Sequence, residues 1–114
     1  EIRGRMMEDI VLLETILAKK DKHVFKLQFP IGEFDMVVQD PKTLSCEIYE
    51  IKYSNQRARE QYRHINDEEK CAMTIHRYGN ITGRYVIYRG ENTEMDSIQY
   101  LNVEDYLKSL EKTR

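Results

Sequence analysis

Two alternating runs joined by a tight turn constrain this chain more than anything else in it. Glu33 to Gln39 (EFDMVVQ) and Leu44 to Tyr53 (LSCEIYEIKY) flank Asp40-Pro41-Lys42, a strong turn signal. Side chains on a strand alternate between faces, so Phe34, Met36 and Val38 share one side of the first run, and Glu33, Asp35 and Val37 share the other. On the second run Glu50 and Lys52 project together, on the side of Cys46 and Ile48. Pairing the runs as a hairpin predicts Asp35 beside Glu50. Charged groups next to apolar positions need partners, because burying a lone charge is costly.

The flanking sequence supplies the other elements. Residues 3–20 predict a helix, with Ile2, Met6, Ile10, Leu13 and Leu17 recurring at spacings of three and four. Met7, Val11, Leu12 and Ile16 widen that stripe, which predicts burial on more than one side. Lys19 and Lys20 suit the negative end of the helix dipole. His23 to Phe29 alternates as a strand and is broken by Pro30-Ile31-Gly32. After the hairpin, residues 56–65 predict a polar helix capped by Ser54-Asn55, and residues 67–77 a second helix capped by Asn66. Gly79 and Gly83 bracket a predicted loop. Residues 84–89 and 97–101 predict two more strands, and residues 103–110 a terminal amphipathic helix. With no repeat and no low-complexity linker, residues 1–114 predict one domain. An early hairpin followed by a helical crossover predicts a mixed sheet with helices on its faces.

Composition excludes several classes. Apolar residues make up 40% and charged residues 33% of the 114 residues, and no apolar run approaches the roughly 18–20 residues that span a bilayer. Cys46 and Cys71 stand alone, as do His23, His64 and His76, so neither a disulfide framework nor a zinc cluster is expected. Isolated thiols fit a reducing, cytoplasmic setting. The chain starts at Glu1 rather than Met, so an upstream extension or processing is expected. The net charge of −2 lacks the basic excess of dedicated nucleic-acid binders.

Two converging carboxylates repel each other unless a cation or proton intervenes. An all-oxygen set of this kind suits Mg²⁺ or Mn²⁺. Such an ion lowers the pKa of bound water and stabilises charge on a phosphate. Lys52 is then placed to position the attacking water or to neutralise developing negative charge. Glu50-Ile51-Lys52 taken alone fits equally well an exposed same-face ion pair on a surface hairpin.

The run IGEFDMVVQDPKTLSCEIYEIKYS resembles the core of PD-(D/E)XK nucleases, with Asp35 as the first acid and Glu50-Ile51-Lys52 as the E-x-K element. The segment MEDIVLLETIL is similar to the helix preceding this hairpin in archaeal Holliday-junction resolvases. The order of elements, through RYVIYRG to YLNVEDYL, resembles more closely the C-terminal domain of a group of prokaryotic AAA-type ATPases. The resemblance covers nearly the whole chain. It implies a restriction-endonuclease-like αβββαβ core and a Mg²⁺-dependent (or Mn²⁺-dependent) hydrolysis of DNA phosphodiester bonds. It also implies a further acid on the first helix, for which Glu8 fits best and Glu14 is the rival. A Gln on the next helix would be Gln56 or Gln61. The implied partner is an ATPase domain lying upstream in the same protein. This chain has no Gly-rich loop ending in Gly-Lys-Ser/Thr, so it should not itself bind ATP.

Arg57, Arg59 and Arg63 are candidates for gripping a DNA backbone, with Arg59 and Arg63 one helical turn apart. Glu60, Asp67, Glu68 and Glu69 nearly cancel the charge of this segment, which fits a solvated helical surface as well. A different function fits the near-neutral charge: a non-catalytic domain that binds DNA, or docks on and regulates its parent ATPase.

Overall fold

The computed structural model describes residues 2–113. Its elements run α1 (Ile2–Ala18), β1 (His23–Gln28), β2 (Glu33–Asp40), β3 (Ser45–Ile51), α2 (Glu68–Tyr78), β4 (Asn80–Tyr88), β5 (Thr93–Met95), β6 (Ile98–Asn102) and α3 (Val103–Glu111). The six strands form one mixed sheet in the order β1-β2-β3-β4-β6-β5. The expected hairpin forms: β2 and β3 are antiparallel, with Met36 opposite Tyr49 and Val38 opposite Glu47. The crossover through α2 then brings β4 parallel to β3.

Helices cover both faces. On one side α1 and α3 bury Met7, Val11, Tyr106 and Leu110 against Met36, Tyr49, Ile51 and Ile87. On the other, Tyr62, Ile65 and Cys71 pack on Phe34, Ile48, Val86, Tyr88 and Tyr100. The central strands β3 and β4 are therefore buried on both sides, as parallel pairs with helical crossovers are.

The first helix is turned differently from the sequence expectation. Its buried residues are Met7, Val11, Thr15 and Ala18. The Ile2, Met6, Ile10, Leu13 and Leu17 stripe faces outward instead. Two interactions hold this rotation. The Thr15 hydroxyl lies 2.7 Å from the Val11 carbonyl and 2.7 Å from the Tyr106 hydroxyl, tying α1 to α3 inside the core. Glu8 flanks the buried side and reaches Lys26 of β1.

Other boundaries also shift. The polar helix expected over 56–65 is reduced to one 3-10 turn, Arg59–Tyr62. Helix α2 is capped by Asp67 rather than Asn66, its carboxylate accepting from Lys70 N at 3.0 Å. Strand β4 begins four residues early, because Gly79 ends α2 at φ +104° and Asn80 N donates to Leu44 O at 3.0 Å. A Cβ at Gly79 would sit 1.8 Å from that same carbonyl oxygen. Strand β5 was not expected. It pairs with β6 through Asp96 and Ser97, both at positive φ, as a two-residue hairpin turn requires.

Candidate metal centre

Strand β2 carries a bulge at the site. Phe25 pairs with Val37 and Leu27 with Phe34, so Asp35 and Met36 together oppose the single residue Lys26. A bulge of this kind bends the strand and re-aims a side chain. Here it accompanies the end of the β2–β3 ladder at Met36–Tyr49. Beyond that pair the Asp35 carboxylate replaces a backbone acceptor, taking the N–H of Ile51 at 2.7 Å.

Asp35 is 5% exposed and Glu50 is 2% exposed, so both carboxyls lie inside the protein. Glu50 Oε2 pairs with Lys52 Nζ at 3.1 Å. Glu50 Oε1 is buried with no hydrogen-bond partner. On the helix side, carboxylate oxygens of Glu8, Glu33 and Asp35 lie within 4.8 Å of one another. Lys26 spans two of them, 2.5 Å from Glu8 Oε1 and 3.5 Å from Glu33 Oε2. Glu8 is the main reason that the Lys26 ammonium is favoured, its pKa raised against the opposing effect of burial. Asp35 joins the two halves of the cluster.

The electrostatics follow from this crowding. Burial pushes the Asp35 carboxyl up to about 8, and the like charge of Glu50 adds to the shift, against the opposing Ile51 N–H. Burial raises Glu50 to about 7, with Lys52 pulling the other way. For Lys52, burial disfavours the ammonium, but Glu50, Asp35 and Glu8 outweigh it and leave the pKa raised. The lysine is therefore a fixed cation. Ionising both buried acids at once is unfavourable, and a proton or a cation beside them relieves that cost.

Of the four residues singled out from sequence as the metal and catalytic set, Glu8 and Asp35 belong to the three-carboxylate group, whereas Glu50 and its partner Lys52 stand next to Asp35 but outside that group. Glu8, rather than Glu14, is the helix acid in the cluster. The group also includes Glu33. The readable signal for Glu33 was its position two residues before Asp35, on the same side of a regular strand.

A shallow open pocket runs beside the cluster, lined by Arg5, Glu8, Lys52, Tyr53, Ser54 and Gln61. Gln61 is held at both ends of its amide. Its oxygen accepts from Ala58 N at 3.0 Å and from the Tyr100 hydroxyl at 2.9 Å, and its nitrogen donates to Gln56 O at 2.8 Å. That role is structural.

The arginine candidates do not form a helical grip. Arg57, Arg59 and Arg63 are all exposed, but only one 3-10 turn lies among them. Arg59 and Arg63 therefore lack the one-turn α-helical stacking expected of them. Arg59 is paired loosely with Asp96 at 3.8 Å. Tyr62 is buried, with its hydroxyl on Asp96 at 2.5 Å, and Tyr78 packs on Phe25. Tyr53 instead carries the guanidinium of Arg89 4.3 Å from its ring centre.

The grouped donors Glu8, Glu33 and Asp35 are all carboxylate oxygens, with Lys26 and Lys52 to either side, and the orphaned Glu50 oxygen belongs to the acid next to Asp35. That set fits a hard divalent cation better than zinc, which favours nitrogen and sulfur. Among the described residues no helix is long and apolar enough to cross a membrane. No family model, no curated protein and no solved structure matches the chain.

Proposed function

We propose that this domain is a metal-dependent phosphodiesterase of the restriction-endonuclease-like class, acting on DNA. The observation that carries the reading is the buried, unpartnered Glu50 Oε1 beside Asp35, with Lys52 on the other oxygen of the same carboxylate. A buried carboxylate left half satisfied is costly, and such costs are retained where they serve a site. The element order αβββαβ, followed by ββα, accords with the fold implied by the sequence resemblance.

In this reading Asp35, Glu50 and Glu8 hold a Mg²⁺ or Mn²⁺ ion, with Glu33 beside them. The ion, when bound, supplies positive charge to a phosphate and lowers the pKa of water. The chain's own residues do the rest. Ile51 N–H fixes the Asp35 carboxylate. Lys52, held by Glu50, presents an ammonium toward the open pocket, where it neutralises charge developing on a scissile phosphate. Arg57 and Arg63, exposed on the adjoining segment, supply backbone contacts to DNA. An upstream ATPase domain and a cytoplasmic setting belong to the same proposal.

Cleavage of supercoiled plasmid and of branched DNA in Mn²⁺ tests it. Wild type should nick, and Lys52→Ala should lose activity by about 100-fold or more, as removal of a charge-stabilising group does. Intact activity in both Lys52→Ala and Asp35→Ala would sink the assignment. A non-catalytic docking role is favoured by one separate observation, the outward apolar stripe of α1.

A further inference from the structure

The six most outward apolar side chains of α1 form one continuous surface: Ile2, Met6, Ile10, Leu13, Ile16 and Leu17, between 42% and 72% exposed. Scattered exposed apolar residues are ordinary, but a contiguous helical face of them marks an interaction site. The accessible area involved is on the order of 600 Å² per copy, which approaches the roughly 800 Å² per partner of a standard interface. A groove between α1 and α3, lined by Met6, Ile10 and Leu107, extends it.

The spacing of the stripe identifies the occupant. Met6, Ile10, Leu13 and Leu17 follow one another at four, three and four residues, the seam of a helix that packs against another helix. That series reads the same from either end. A two-fold axis between residues 11 and 12 sets Met6 opposite Leu17 and Ile10 opposite Leu13 of a second copy. A self-complementary patch of this kind closes on itself.

The flanking charges select the direction. Asp9 and Glu14 lie on opposite edges of the seam. In a parallel pair, each edge would set Asp9 of one copy against Glu14 of the other, like charge against like. In an antiparallel pair the same edges meet themselves, so Asp9 flanks Ile16 of the other copy and Glu14 no longer faces an acid. We infer that α1 is the interface of an antiparallel two-fold homodimer, seated along Met6, Ile10, Leu13 and Leu17.

Sedimentation velocity across roughly 1 to 100 µM chain tests this, a range that resolves dissociation constants of weak to moderate dimers. Wild type should sediment at twice the chain mass of 13.7 kDa. Leu13→Glu should shift it to monomer with at least a 100-fold weaker association and unchanged far-UV circular dichroism. Ile10→Arg provides the second variant should Leu13→Glu lose that signal. Ile75→Glu, on an exposed position of α2, should leave the dimer intact. A wild-type monomer across the range overturns the inference. So does a dimer that survives both α1 substitutions, or growth beyond two copies.

Discussion

Asp35 does two jobs that pull in opposite directions. Its carboxylate supplies the acceptor that Ile51 N–H needs, yet it stands beside Glu50 in a buried position where ionising both is unfavourable. The consequence is a stability that depends on pH. Asp35 has a folded pKa pushed up to about 8 from the ordinary 3.8, so its contribution is fully present below about pH 4 and is lost progressively until pH passes 8. Glu50, also raised, adds to the loss over the same interval. In chelator-treated protein the melting temperature should therefore fall by roughly 5 °C or more between pH 5 and pH 8.5. Asp35→Asn keeps an oxygen acceptor but removes the charge, so it should flatten that slope and melt higher than wild type at pH 8.5. Asp35→Ala leaves the buried Ile51 N–H unpaired, at a cost of about 1–3 kcal/mol, and should not show the same gain. Identical slopes for wild type and Asp35→Asn, followed by thermal melts, would remove the buried repulsion from the account.

At the scale of elements, legibility in the sequence followed how local the determining interactions are. The β2–β3 hairpin was readable because its turn residues lie within it, but the expected shared face of Phe34, Met36 and Val38 does not form: Phe34 packs on the face opposite Met36 and Val38. The placement of Asp35 near Glu50 was readable for the same reason. The bulge opposite Lys26 was not, since it arises from pairing with β1 and not from any residue in β2. Helix α1 was readable as a helix but not in its rotation: apolar residues surround most of it, so periodicity could not choose between two faces. The Thr15–Tyr106 contact, formed across 91 residues, makes that choice. Segment 56–65 has helical polarity but spends Gln56, Ala58 and Gln61 on local hydrogen bonds that replace the helical ladder. Gly83, read as a loop, lies within β4, where the Tyr85 ring fills the space a side chain would take. Gly79 was rightly read as a break, and its geometry makes a sharp prediction. Gly79→Ala forces a side chain into Leu44 O at a backbone angle that favours glycine, so it should cost about 3 kcal/mol in denaturant unfolding. A loss under about 1 kcal/mol would mean that the α2–β4 junction relaxes freely.

In the molecule as a whole, the sheet changes from antiparallel to parallel pairing at β3 and back again at β6, and the acids gather at the first of these. The antiparallel pair β2–β3 meets the parallel pair β3–β4 at strand β3, and β3 ends where Asp35, Glu50 and Lys52 converge under the first turns of α1. The two layers of helices make that end dry enough to raise both carboxyls, while the pocket beside Lys52 leaves it open to a large substrate. In the function we propose, these acids form a seat for a hard divalent cation. Isothermal titration of Mn²⁺ and Mg²⁺ into chelator-treated wild type and Asp35→Ala at pH 7.5 tests it most directly. Wild type should show one saturable binding event per chain, weakened at least tenfold by the substitution. Absence of binding in wild type, or equal affinity in the two proteins, would contradict it.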